Sequence, residues 1–531
     1  MIESFMMQIL QMRRIDKIKK QLFGVAFIIS FSILLLLNGC GGSSVDSTSS
    51  TEVKFTKTKC FLDRNESIFE CGYIEVPDDY TNQKSRYTLA VMIKKAKDNS
   101  RHLPPIINID GGPGDSSITH TYELDFLDYD DRDVIYFSQR GTGLSKPFLE
   151  CKEIFANYDE LINKKFKELN ISRYTDDLPQ ELYEKHFSQL LNQKYVKCAQ
   201  KLQKEGVDPT TISTRNSAYD IESIRKALKL DKISLFGVSY GTRLALEYME
   251  LFAEHIDSVV LDSVLADDVD RYAINISMRK RALKEFFELC SSDESCFEAF
   301  PQLEEHFLAL VSHYNLHPYT YIYDEEHNKS IELNGGFIAF SIDSLFYFPV
   351  IESLPIMIEG MYQETLSGDT TYLQGIAKSK EYLVDNDIYF SNLMSEITLI
   401  QSYPLYLESM QEAYKALDNY NGIYQHFFLY ELYVQSQVFD GKKESVYNHY
   451  DNTITTLIIN GTIDHATPIE FARDIDSRLS NSQMIEFEKY GHSLITTPCG
   501  YKTIKEFFKD PKNFIAPQCS TVAIKYNFVV P

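Results

Sequence analysis

The chain contains no C-x-x-C pair and no zinc-type spacing of cysteine and histidine, so a bound metal has no ligand set to stand on. It also lacks a basic stripe: Lys and Arg number 53 against 76 Asp and Glu, a formal net charge of −23. A chain so acidic repels phosphate backbones, which excludes nucleic acid as a natural partner. The bland reading, a well-hydrated acidic surface, accounts for the charge without any partner. No internal repeat is visible, and a repeat architecture is set aside with it. Long apolar runs are absent but for one.

That run, Leu22 to Leu37, follows the basic residues Arg13, Arg14, Lys17, Lys19 and Lys20 and ends in Asn38-Gly39-Cys40-Gly41-Gly42. A basic head, an apolar centre of this length and small residues behind it predict a secretory signal over 1–39 rather than a membrane span; an uncleaved anchor helix is the alternative. Leu37-Asn38-Gly39-Cys40 looks like a bacterial lipobox, which makes Cys40 the expected lipidation site and new N-terminus. The expected location is the bacterial cell envelope, outside the cytoplasm and tied to a membrane by lipid. The segment 1–39 carries five basic and two acidic residues, so without its +3 the remainder stands at about −26. Of nine cysteines, Cys40 aside, eight remain: Cys60, Cys71, Cys151, Cys198, Cys290, Cys296, Cys499 and Cys519. An even number suits four disulfides in an oxidising compartment.

Residues 40–55, opening with Gly, Ser and Thr, read as a flexible tether. A first core segment, 56–266, then alternates strand and helix. Strands are expected around Cys71–Pro77, over Tyr87–Lys94, at Pro105–Asp110 and Asp133–Phe137, with an amphipathic helix over 219–230, a strand at Ile233–Phe236, a helix from Arg243 and a strand at Ile256–Asp262. Such alternation predicts an α/β fold with a doubly wound, mostly parallel sheet. From 267 to 450 the rhythm stops in favour of helix-like segments rich in tyrosine and phenylalanine, which reads as an inserted helical cap. It resumes over 451–531 with a strand at Thr455–Asn460, a helix over 468–479, a strand at Gln483–Phe487 and a last helix near 501–508.

The most informative stretch is Ile233-Ser-Leu-Phe-Gly-Val-Ser-Tyr-Gly-Thr242: strand, sharp turn, helix, with Ser239 at the apex and glycine two residues to either side. Flanking residues that small let a tight turn hold a serine Oγ clear of the backbone, while the N–H of the next residue, Tyr240, faces a developing oxyanion. A bare G-x-S-x-G is a weak signal; the strand before and the helix after strengthen it. A serine nucleophile needs a base, and the base a carboxylate to hold its tautomer. Asp464, four residues past one buried strand, and His492, past the next, follow in the order serine, acid, histidine. His465 is a rival base but lies on the acid's own loop; Asp262, past the strand after the elbow, is a rival acid. Glycine turns are usually structural, yet Gly111 and Gly112, behind the Pro105–Asp110 strand, are placed to give the second oxyanion N–H.

Gly111-Gly-Pro-Gly114, Gln139-Arg-Gly-Thr-Gly-Leu-Ser145, Gly237-Val-Ser-Tyr-Gly-Thr242, Gly461-Thr-Ile-Asp464 and Gly491-His492 together resemble the prolyl and tripeptidyl aminopeptidase family of serine peptidases, over roughly Cys60 to Cys519. Cys71-Gly-Tyr-Ile-Glu-Val-Pro77 and a cysteine soon after the histidine resemble its exported branch. The resemblance implies an α/β-hydrolase with a helical cap, acting without cofactor or metal on peptides or small amides from their N-terminus. Ser239 would be nucleophile, His492 base and Asp464 orienter. Sequence proximity and the same resemblance suggest disulfides Cys60–Cys71, Cys151–Cys198, Cys290–Cys296 and Cys499–Cys519. Two departures stand out: Asp110 where the family loop begins with histidine, and Ser138 where it has aspartate before Gln-Arg-Gly. An esterase with the same triad is the alternative reading, since such a site cleaves esters equally well. A non-catalytic surface binding protein is a further one.

Overall fold

The computed structural model describes residues 53–531 apart from short gaps and the longer segments 120–128, 172–179, 386–433 and 435–452. The expected signal over 1–39, Cys40 with its expected lipid, most of the tether and much of the second half of the insertion lie outside the described residues. No helix among the described residues is long and apolar enough to cross a membrane.

Eleven strands are described: β1 (Phe55–Thr58), β2 (Phe69–Pro77), β3 (Arg86–Lys94), β4 (Ile106–Ile109), β5 (Val134–Phe137), β6 (Ile233–Val238), β7 (Ile256–Asp262), β8 (Tyr319–Asp324), β9 (Lys329–Leu333), β10 (Thr455–Gly461) and β11 (Ser482–Phe487). Nine form one sheet in the order β1-β2-β3-β5-β4-β6-β7-β10-β11. The first pairings, β1 with β2, β2 with β3 and β3 with β5, are antiparallel; from β5 to β11 every neighbour is parallel. Parallel strands buried on both faces need apolar side chains at successive positions, which Ile-Ile-Asn-Ile of β4 and Ile-Ser-Leu-Phe of β6 largely supply. Alternation sends Ile107, Leu235, Val259 and Ile458 into one apolar core and Ile106, Phe236, Val260 and Leu457 into the other.

Several expectations need correction. The insertion is not purely helical, because β8 and β9 pair antiparallel as a two-stranded sheet. Tyr-Thr-Tyr-Ile-Tyr-Asp is a run of aromatic and β-branched residues, which favour the pleated conformation. The helix expected over 219–230 begins earlier, at Thr214, and runs to Ala227; the Ser213 side chain caps it by accepting the Asn216 N–H. The tether's last residue, Phe55, already belongs to β1.

The insertion builds its own core around Phe286, Phe307, Leu310, Ile338 and Ile358, and it recruits Ile463 from the loop after β10 and Phe528 from the tail. The tail is tied on both sides. Its Tyr526 hydroxyl donates to the Lys489 carbonyl, and the N–H groups of Asn527 and Val529 donate to Oε1 and the carbonyl of Glu352, at 2.8 and 2.9 Å. Disulfides join Cys60 to Cys71, Cys151 to Cys198, Cys290 to Cys296 and Cys499 to Cys519.

A buried ion pair fixes the glycine loop after β5. Arg140 donates through Nε and Nη2 to the two carboxylate oxygens of Asp220, at 2.8 and 2.6 Å. Its remaining donors reach the carbonyls of Pro77, Asp78, Thr211 and Asn216, and it lies between the Tyr80 and Tyr87 rings. A guanidinium this deep keeps its charge, and without its carboxylate that charge would stand uncompensated. Asp220→Ala should therefore cost about 3–5 kcal/mol, read as a lower denaturant midpoint; a loss under about 1 kcal/mol would mean the carbonyls alone hold the charge.

Candidate active site

Ser239 sits where β6 turns into the helix Tyr240–Phe252, with φ 55° and ψ −123°. A side chain in this region costs roughly 1–3 kcal/mol, so the surroundings must impose it. They do so by leaving no room for a wider turn. A Cβ on Gly241 would lie 2.1 Å from the Ile109 carbonyl oxygen, and one on Gly237 would lie 2.6 Å from that of Gly241. Helix, β4 and turn are thus locked together by the absence of two side chains. The Ser239 N–H donates to the Asp262 carbonyl at 2.9 Å, and the Ser239 carbonyl accepts from the Thr242 N–H and hydroxyl. Tyr240 is the first residue of the helix, where N–H groups have no partner within the helix and the dipole favours negative charge.

The loop after β4 runs over this serine. A Cβ on Gly111 would stand 3.2 Å from the Ser239 Cβ and 3.7 Å from its Oγ, and Gly112 takes φ +100°. Any other residue at 111 would crowd the serine. The two departures lie in the same neighbourhood and are buried: Asp110 accepts from the Asn108 amide, while the Ser138 Oγ is 2.7 Å from that of Ser116 and accepts the Leu144 N–H.

Two strands along, the loops after β10 and β11 bring Asp464 and His492 together. The Asp464 Oδ2 is 2.8 Å from the His492 Nδ1 and also accepts the Thr467 hydroxyl at 2.8 Å. Its Oδ1 accepts the N–H groups of Ala466 and Thr467, both at 2.8 Å. Burial opposes the charge on this carboxylate, but the imidazole and these donors outweigh it and hold the carboxyl below its ordinary range. An ionised Asp464 on Nδ1 fixes the tautomer that leaves Nε2 able to accept a proton. Thr467 carries two of the four donors, and sequence reading did not single it out; its place three residues past the acid was the available signal.

The rivals have other places. Asp262 is buried, and its oxygens accept the N–H groups of Leu494 and Ile495 and the Ser263 hydroxyl, so it braces the loop of His492 instead of meeting the ring. Burial, partly offset by these donors, pushes it up to about 6. His465 is buried between Phe346 of the insertion and the His492 ring, with centroids 5.7 and 6.3 Å away. Burial, then the nearby charge of Arg279, hold it well below the usual imidazole range, so it stays neutral. The insertion reaches the acid's loop directly: Arg281 donates to the carbonyls of Thr462 and Asp464 at 3.1 and 3.2 Å.

Residues 104–288, which carry β4, the elbow and β7, match the family model for the α/β hydrolase fold, and residues 436–513, which carry Asp464 and His492, match that for TAP-like protein. The chain has the α/β-hydrolase fold, and its C-terminal segment is similar to the TAP-like model. Among curated relatives it is 28% identical to YuaR of Escherichia coli over 43% of each chain. It is 25% identical to the serine protease Hip1 of Mycobacterium tuberculosis over 43% of this chain and 42% of that one. To the tripeptidyl aminopeptidase of Streptomyces lividans it is 28% identical, over 38% and 36%. The match spans less than half the length of each of these relatives.

Proposed function

We propose that this α/β-hydrolase is a serine peptidase, an aminopeptidase that removes short pieces from the N-termini of peptides. The observation that carries the reading is the Asp464 carboxylate seated on the His492 Nδ1, on loops beside an elbow that strains Ser239 under a glycine loop. Relatives named as a serine protease and a tripeptidyl aminopeptidase support the choice of peptide over other acyl substrates.

In this mechanism the Ser239 Oγ attacks the scissile carbonyl carbon while the His492 Nε2 takes its proton. The negative charge on the carbonyl oxygen is met by the N–H of Tyr240 and by N–H groups of the Gly111–Gly112 loop. His492 then gives its proton to the departing amine, and the C–N bond breaks to leave an ester on Ser239. Water, deprotonated by the same ring, releases the acyl piece and restores the serine. Asp464 keeps its charge throughout and steadies the imidazolium. Neither metal nor organic cofactor has a step to perform. Ser239→Ala should fold like the parent, lose labelling by a fluorophosphonate probe and lose about 10⁴ to 10⁶ in turnover. Retention of more than a few per cent of activity would remove Ser239 from the role.

The substrate's free N-terminus is the second part of the reading, and the acidic character of the chain is compatible with it. Acetylating a peptide's N-terminus removes only that charge. With an aminopeptidase kcat/KM should fall by about tenfold or more, as expected for the loss of a charge-assisted hydrogen bond. Equal rates on free and blocked peptides, or fast ester cleavage with no peptide cleavage, would leave an esterase in its place.

The envelope location is the third part. Four disulfides among the described residues suit an oxidising compartment, and the lipobox-like Leu37–Cys40 supplies the attachment. Mass spectrometry of protein from bacterial membranes should find the N-terminus at Cys40 carrying a diacylglyceryl group; an intact chain through Leu22–Leu37 would replace the lipid anchor with an uncleaved one.

A further inference from the structure

Strand β7 contributes no member of the proposed triad, yet its end is bonded to Ser239, to the loop of His492 and, through Asn460 of β10, to the loop of Asp464. It lies between β6, which leads to Ser239, and β10, which leads to Asp464. The Asp262 carbonyl accepts the N–H of Ser239 itself, at 2.9 Å. Its carboxylate accepts the two amides that follow the base's neighbour: Oδ1 takes the Leu494 N–H at 2.9 Å and Oδ2 the Ile495 N–H at 2.8 Å. The Ser263 hydroxyl donates to Oδ1 at 3.0 Å and in turn accepts the Ser493 N–H at 2.8 Å. Three consecutive amides after His492 therefore end on two residues of β7's exit. The next one, Val264, donates its N–H to the Asn460 Oδ1 at 2.7 Å, and Asn460 Nδ2 reaches the carbonyl of Thr467, the residue that braces Asp464.

We infer that Asp262 is a positioning residue: one amino acid fixes the nucleophile through its carbonyl and the base through its carboxylate, and so sets the distance between Ser239 and His492. The inference rests on the serine-hydrolase reading above. The chemistry supports a purpose beyond packing. A carboxylate with no exposed surface is costly, and an apolar residue would fill the same space at less cost. What an apolar residue cannot do is hold two successive N–H groups at once, and that pair fixes the direction in which the chain leaves His492. Ser493 stands at φ 62°, so this exit is strained and needs a brace.

Protonation weakens the brace, because a neutral carboxyl has one fewer strong acceptor. Burial brings Asp262 up to about 6. Of the titratable groups the His492 ring acts on it, and beside that ring stand Asp464, held ionised, and His465, held neutral. Asp262 then contributes to the acid limb of the rate profile.

The test is Asp262→Asn in the full chain, with kcat, KM, thermal midpoint and the pH profile of kcat/KM measured on one peptide substrate. Asparagine turns one acceptor into a donor that faces an amide N–H, so one of the two ties must break. We expect kcat to fall by about 10²-fold, the loss typical of a displacement near 1 Å at a reacting group, with KM unchanged because Asp262 touches no substrate. The acid limb should also lose the contribution of the Asp262 ionisation. Ser263→Ala removes a single tie from the same loop and should show a smaller fall of the same kind, so the inference stays testable if the Asn variant does not fold. Parental kcat and acid limb in Asp262→Asn, or in Ser263→Ala a parental kcat, would overturn it. So would a loss of kcat that rises and falls only with the thermal midpoint. Fluorophosphonate labelling of the parent separates the two levels: a parent that labels alongside an unimpaired variant sinks the positioning role alone, and a parent that neither labels nor turns over sinks the hydrolase reading and this inference with it.

Discussion

The site depends on a constraint imposed by strand direction. From β5 to β11 the strands of the main sheet run parallel, so the chain leaves β4, β6, β7, β10 and β11 at one edge. Residues as far apart in sequence as Gly111, Ser239, Asp464 and His492 are gathered there because each lies a few residues past such an exit. Parallel pairing also forces each return to cross a face of the sheet, which is why helices cover both cores. The insertion begins at the exit of β7, between the exits of β6 and β10, and so emerges beside the same loops. The Arg281 bonds to the carbonyls of Thr462 and Asp464 are the local form of that placement.

Three buried aspartates show how differently one side chain can be accommodated. Asp220 is neutralised by a guanidinium across two parallel hydrogen bonds. Asp464 collects two amides, a hydroxyl and an imidazole, and its charge is favoured despite burial. Asp262 has two amides and a hydroxyl but no cation hydrogen-bonded to it, and burial prevails. Burial also raises the carboxyl of Asp220 despite its guanidinium, so a paired cation alone does not decide the balance.

The elements that could be read in the sequence were those with a local signature. The elbow was legible because Gly237 and Gly241 are the only residue type whose missing Cβ leaves space at those contacts, and the strands because both-face burial writes continuous apolar runs. The acid and base were legible from chain order and from glycines beside them. What could not be read is what rests on pairing across distance. Nothing near Asp220 in sequence marks Arg140, 80 residues earlier, as its partner. Asp262 could be seen as a carboxylate past a strand, and so as a rival acid, but not that its oxygens would be taken by amides more than 230 residues away. The β8–β9 hairpin was missed for another reason: its aromatic residues suit a packed helix as well as a strand, and no glycine-bearing two-residue turn separates the two runs to decide the matter.

The tail described with the fold has a temporal consequence. Phe528 is part of the insertion's own core, and Tyr526 grips the loop ahead of His492, although both are made after every other element discussed here. The core of the insertion and the loop ahead of His492 therefore both await residues 526–528 before their packing is complete.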